Sequence, residues 1–176
     1  MMRGRRYFLV AGGSMIATLG APPALHSAQV ETIEMRGTAR GERVWFAPIG
    51  LAVTPGATLR FVNRDPANSH TATSYHPDIF DRQRRIPEGA TAWDSGFLLP
   101  DDSFEVTLIV PGVYDYYCIP HEMAGMVGRI VVGQPSDPEW EGRAEDSDDL
   151  DPEALAGFPS VEDIIARGRI IREEHQ

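Results

Sequence analysis

Between Val30 and Val132 the apolar residues fall in short runs cut by Gly, Pro and Asn, with no sustained spacing of three and four that would mark a helix. Val30 to Met35 alternates apolar and polar positions, as a half-buried strand does. Val44 to Phe46 and Leu51 to Val53 flank Pro48 and Gly50, which predict a bend between strand segments. Thr54-Pro55-Gly56 is a turn: proline presets φ at one position and glycine supplies a permissive next one. Thr58 to Asn63 follows, with Leu59, Phe61 and Asn63 on one parity and Thr58, Arg60 and Val62 on the other. After the polar loop 64–69, the pattern predicts strands over His70–Tyr75, Ala92–Phe97, Ser103–Val110, Val113–Cys118 and Val127–Val132. About eight short strands with turn signals between them predict an all-β sandwich or barrel.

The pattern changes after Gly133. Residues 134–157 are acidic and carry Pro135, Pro138 and Pro152, the composition of a linker or loosely held arm. Ser160 then precedes Val161, Ile164, Ile165, Gly168 and Ile171, which share one face at helical spacing. With Asp163 three positions on, Ser160 makes a capping box, so a short helix over 160–174 ends the extension, packed on the sandwich or docked on a partner.

At the other end, Arg5-Arg6 precedes a weakly apolar run from Phe8 to Leu19, shorter than the roughly 20 residues a membrane helix needs. Paired arginines before such a run resemble a twin-arginine export signal, with cleavage near Ala28; an uncleaved anchor is the alternative. Either puts the domain outside the cytoplasm, in a periplasmic or similar compartment. The chain thus divides into an export signal (1–28), a β domain (29–133), an acidic linker or arm (134–159) and a helix (160–174).

Charge narrows the partners. There are 16 arginines, no lysine and 26 acids, for a net charge of −10. An acidic surface argues against nucleic acid and anionic membranes, and for a basic protein partner or a salty medium. Arg82, Arg84 and Arg85 form the one basic cluster beyond the signal, a candidate steering patch on a loop after His76-Pro77.

The chemistry concentrates in Tyr116-Tyr117-Cys118-Ile119-Pro120-His121-Glu122-Met123-Ala124-Gly125-Met126. Cys118 is the single cysteine, so no internal disulfide forms, and an exported protein seldom leaves a lone thiol idle. Thiolate, imidazole and thioether within nine residues are a soft donor set. One more histidine from a separate, earlier strand completes His2Cys with a weak axial methionine, and His70 is placed to be it. Met123 competes with Met126 for the axial position. Zinc could occupy such donors, although structural zinc sites use more thiolates. The single cysteine excludes a binuclear two-cysteine copper centre. His76 and His175 read as surface residues and His26 as lost with the signal, which leaves no histidines for a second, catalytic metal. The chain is therefore not expected to be an enzyme.

Glu42 to Asn63 with Ser69-His70-Thr71, and Pro111 to His121 with Gly125-Met126-Val127-Gly128, resemble the two halves of a plastocyanin- or pseudoazurin-type cupredoxin, in the same order. The resemblance implies a Greek-key β-sandwich with one type 1 copper near one end, held by His70, Cys118, His121 and Met126. It also implies one-electron transfer between redox partner proteins of the cytochrome, oxidase or reductase kind, with copper delivery by the same fold as the alternative. Thr71, where related proteins often carry Asn, is a candidate to hydrogen-bond around the site. In the family the second histidine's edge nears solvent, so Ile119, Pro120, Met123 and Ala124 form a candidate docking collar. Tyr116 and Tyr117 read as core filling or as a second electron route.

Overall fold

The computed structural model describes residues 30–172; the expected export signal, His26, His175 and the end of the expected 160–174 helix lie outside them. The strands are β1 (Val30–Gly37), β2 (Val44–Ala47), β3 (Gly50–Val53), β4 (Ala57–Asn63), β5 (Thr73–Ser74), β6 (Ser103–Leu108), β7 (Gly112–Tyr117), β8 (Val127–Val132) and β9 (Arg169–Ile170). A 3-10 helix (Ile119–Ala124) joins β7 to β8, and α1 (Pro152–Gly157) and α2 (Val161–Arg167) lie between β8 and β9. Two sheets form, ordered β2-β1-β4-β6 and β5-β7-β8-β3-β9, and their facing side chains make the expected all-β Greek-key sandwich. Ile33, Met35, Phe46, Leu59 and Phe61 meet Tyr114, Tyr116, Cys118, Ile130 and Val132 in one core. Tyr116 sits between the Phe46 and Phe61 rings, at 4.8 and 5.2 Å in edge-on geometry.

Two expected strands are corrected. His70–Tyr75 shrinks to Thr73–Ser74, and Ala92–Phe97 forms no strand: the two segments are joined by the isolated bridges Thr73–Asp94 and, just beyond, His70–Leu98, with the Ser74 N–H on the Trp93 carbonyl and the Ser95 N–H on the Ala72 carbonyl. The reason is side-chain competition for the backbone. Ser95 Oγ accepts the Ala72 N–H at 2.8 Å, and Ser74 Oγ accepts the Trp93 N–H at 2.9 Å, each in place of a ladder bond.

The second sheet is covered on both faces. Along β7, Tyr114 and Tyr116 face the first sheet, while Val113, Asp115 and Tyr117 face outward beneath residues 140–170. Leu150 and Ala154 cover Tyr75, Tyr117 and Val127; Val161 and Ile164 cover Val113 and Val131. Residues 134–159, read from composition as a linker or loose arm, include the helix α1, capped by Asp151, and pack on the sheet through Leu150, Ala154, Leu155 and Phe158. The helix expected over 160–174 is shorter. Ser160 Oγ accepts the Asp163 N–H at 3.1 Å as expected, but Gly168, at φ 72°, ends the helix. The chain then adds β9 to the edge of β3.

The arginine cluster is also corrected: it holds the chain's own arm and presents no open steering patch. Arg82 pairs with Asp149 at 3.1 Å, Arg84 with Glu141 at 2.9 Å, and Arg85 donates to the Glu145 carbonyl at 3.0 Å. Under the arm lies a buried ion cluster. Asp115 accepts from Arg129 at 2.7 and 2.9 Å and from Arg85 at 3.0 Å, and both guanidiniums lie against the Phe158 ring.

Burial also sets the alkaline limit of the fold. It holds the phenols of Tyr75, Tyr116 and Tyr117 above their ordinary value and pushes Tyr114 up to about 12 against the opposing hydrogen bond to Val110. Raised folded-state values mean stability intact below the unfolded value near 10 and lost as pH rises past it. Each phenol still protonated in the fold contributes a slope of about 1.4 kcal/mol per pH unit. Urea midpoints measured from pH 9 to 12 are expected to stay level to pH 10 and then fall steeply; a flat profile to pH 12 would refute this.

Candidate metal centre

Strand parity puts Cys118 inside. It continues the Tyr114–Tyr116 face of β7, so its thiol enters the core between the sheets, fully buried. The chain then turns through the 3-10 helix, in which proline follows Ile119 and supplies a φ already suited to a helix start. Gly125, at φ 72°, closes it in the left-handed conformation. His121 N–H bonds the Cys118 carbonyl at 3.0 Å, Met126 N–H the His121 carbonyl at 3.1 Å, and Cys118 N–H the Met126 carbonyl at 3.0 Å. The backbones of the three loop residues are thus tied to one another. His70 enters from the opposite side of the site, fixed by paired backbone bonds with Leu98 at 3.2 and 2.8 Å.

The structure brings His70, Cys118 and His121 together. The two Nδ1 atoms are 3.1 Å apart, and Cys118 Sγ lies 3.6 Å from that of His70 and 3.3 Å from that of His121. The centre of this triangle is about 1.9 Å from each donor, a little under the roughly 2.0–2.3 Å of metal bonds to imidazole and thiolate. Two imidazoles and one thiolate converging from two segments fit a copper ion. Met126 is fully buried in the same core cluster as Cys118, whereas Met123, the competing methionine, is 76% exposed. His76, expected on the surface, is partly buried beside Asp78 and is not part of the group.

The surroundings hold these donors in place. Thr71 N–H points at Cys118 Sγ from 3.3 Å, and Thr71 Oγ1 accepts the Ile119 N–H at 2.8 Å, so this residue ties the His70 segment to the loop. Burial pushes the Cys118 thiol up to about 11 despite that N–H, so without a metal the sulfur keeps its proton at neutral pH. Burial also lowers both imidazoles; for His70 it outweighs the opposite pull of Asp65, and for His121 the nearby His70 adds to it. Both rings are therefore neutral and have a lone pair available for a metal.

Two features were not foreseen from sequence. Asp65 Oδ2 lies 3.0 Å from His70 Nε2, both side chains fully buried. Burial alone would raise the Asp65 carboxyl, but Asn68, the Ala67 N–H and His70 together hold it below its usual value. The local signal is Asp65-Pro66-Ala67-Asn68, a turn sequence whose Asp accepts the N–H groups two and three residues on. The second feature is the backing of the loop by the arm. Arg82 binds both Glu122, next to His121, and Asp149, while α1 lies so close to the loop that a Cβ on Gly125 would meet the Glu153 carbonyl.

Residues 33–133 match the family model for copper binding proteins of the plastocyanin/azurin family. Chloroplastic plastocyanin of Chlamydomonas reinhardtii is 37% identical over 91 residues, 49% of this chain and 57% of that protein, so the chain spans less than two thirds of its length. Chloroplastic plastocyanin of Oryza sativa subsp. indica is 30% identical over 126 residues, 69% of this chain and 75% of that protein. Among solved structures, pseudoazurin from Methylobacterium extorquens AM1 superposes with a TM-score of 0.49 at 24% identity, over 62% of this chain and 79% of that one.

Proposed function

The chain belongs to the plastocyanin/azurin family of copper-binding proteins, and from that premise we propose that it is an exported one-electron carrier holding a single copper with His70, Cys118, His121 and Met126. The observation that carries this reading is the triangle of two imidazole nitrogens and one thiolate sulfur at the end of the inter-sheet core. Copper, when bound, supplies a one-electron couple between Cu(I) and Cu(II).

The chain's residues account for the rest. Cys118 gives up its proton to become a thiolate donor, and Thr71 N–H steadies the sulfur from outside the donor triangle. His70 and His121 offer neutral Nδ1 atoms, which would suit both oxidation states, and the Met126 thioether would supply a weaker, softer donor that favours Cu(I). Three backbone bonds among Cys118, His121 and Met126, with the Arg82–Glu122 pair behind them, resist rearrangement. A site that moves little between charge states transfers electrons with little reorganisation.

His121 is half-buried, and beside it Pro120, Met123 and Ala124 are exposed, a small apolar collar suited to brief contact with a redox partner. The net charge of −10 favours a basic partner, guided at long range. The paired arginines near the N-terminus support export and an extracytoplasmic location, with residues 29–133 as the redox domain. Among the described residues no helix is long and apolar enough to cross a membrane.

The test is the visible and EPR spectrum of the purified protein with one equivalent of Cu(II). An intense thiolate-to-copper band with narrow copper hyperfine splitting is expected. A colourless protein that retains only Cu(I), or an ordinary tetragonal Cu(II) spectrum, would overturn electron transfer in favour of copper delivery.

A further inference from the structure

Behind His70, on the side away from Cys118, lies a carboxylate with no exposure to water. Asp65 Oδ1 accepts the Ala67 and Asn68 N–H groups at 2.9 and 3.3 Å; Oδ2 accepts Asn68 Nδ2 at 2.8 Å and sits 3.0 Å from His70 Nε2. Asn63 Oδ1 fixes the Asp65 N–H at 2.9 Å, and Gly37 of β1 packs so closely on the carboxylate that a Cβ there would collide with it. This is a built pocket: each carboxylate oxygen has two polar neighbours, and Gly37 closes on it from β1.

Two consequences follow from elementary chemistry. An ionised carboxylate only accepts hydrogen bonds, so His70 Nε2 carries the ring proton and Nδ1 is left as a lone pair facing Cys118 and His121. A buried anion held by neutral donors also lacks a full countercharge. A cation on Nδ1 supplies one through the imidazole, and a doubly charged cation supplies more than a singly charged one.

We propose that Asp65 is a positioning residue for the metal: it locks His70 in the Nε2–H tautomer and, through the ring, favours Cu(II) over Cu(I), lowering the reduction potential. The inference rests on the copper-carrier reading above and concerns the direction in which this chain's own carboxylate biases that couple. A purely structural Asp65 would support the two oxidation states equally and leave the potential where it is.

The test compares wild type, Asp65→Asn and Asn68→Ala by voltammetry of the copper-loaded proteins and by chelator competition for each oxidation state. Asp65→Asn keeps an acceptor for His70 and removes the charge. It is expected to weaken Cu(II) about tenfold more than Cu(I), a rise of about 59 mV in the one-electron potential, with the blue band retained. Asn68→Ala removes a donor from Oδ2 and leaves the charge, so its potential is expected at or below wild type. An unchanged potential in Asp65→Asn, or equal upward shifts in both variants, would overturn the proposal. If Asp65→Asn does not fold, 15N imidazole spectra of the metal-free wild type decide it: a proton on His70 Nε2 supports the proposal and one on Nδ1 overturns it. Failure of the wild type to give any blue signal would instead count against the carrier reading, with the tautomer measurement still judging Asp65.

Discussion

Copper-loaded Cys118→Ala is expected to be colourless, with the thiolate band lost completely and the fold intact. Cys118 is the only cysteine in the chain, so no other sulfur anion can take its place. The two imidazoles remain, and with Met126 they can still hold copper weakly, in a site without a thiolate. Copper affinity should therefore fall by more than the roughly 10–100-fold typical of losing an outer hydrogen-bond partner. Removing one buried sulfur costs the metal-free fold only about 1 kcal/mol. Spectral titration with Cu(II), alongside urea unfolding of the metal-free protein, separates the two effects. A band that survives in the variant would mean that the colour does not come from this sulfur.

Asp115→Ala is expected to cost the fold about 3–5 kcal/mol, lowering the thermal midpoint by about 10 °C in a chain of this size. Asp115 accepts from both Arg85 and Arg129, and the three side chains are 0, 0 and 5% exposed. Taking away the carboxylate leaves two guanidiniums buried side by side, a like-charge pair held by the Pro159 and Glu145 carbonyls, Gln83 Oε1 and the Phe158 face, with the half-exposed Asp146 carboxylate 3.7 Å from Arg85 as the remaining anion. Arg129 is the direct cross-strand neighbour of Asp115 on β8, so the repulsion acts across the β7–β8 ladder that leads into the metal loop. A thermal melt of the metal-free variant checks this, and a loss under 1 kcal/mol would mean that the arm yields and lets water reach the arginines.

The parts of the site that come from one short stretch were legible in the sequence. Cys118, His121 and Met126 are spaced by a single turn of chain, and a proline at one end and a glycine at the other mark where that turn starts and stops. His70 was legible as a histidine entering from an earlier segment, although its strand was not: serine hydroxyls replace the ladder bonds there, and alternation carries no record of that. Asp65 was missed because the partner of an imidazole's far nitrogen depends on a loop conformation, and a polar loop residue reads as solvated. The arginines at 82–85 were misread for a related reason, since the acids that bind them lie 30 to 67 residues onward and leave no local trace. The arm's role had a signal that could have been used. In Val113–Tyr117 and Val127–Val132 the alternation fails, every residue is buried, and one acid and one arginine sit in otherwise uncharged strands. Runs of that kind mark a sheet covered on both faces, with the two charges meeting beneath the cover.

The order in which the chain is synthesised gives the arm a further consequence. Residues 150–164, which cover Tyr117, Val127 and Val131, emerge from the ribosome after strands β1 to β8, and β9 follows them. Until then the outer face of β7 and β8 is bare, and the unpaired edge of β3 is open to other nascent chains. The metal loop is likewise complete in sequence before Asp149 and α1 arrive to back it. A stalled chain, or one clipped within the arm, would present the copper donors on an unsupported loop beside a sticky sheet. Quality control that recognises exposed apolar sheet would thus be able to discard such chains before they take up metal.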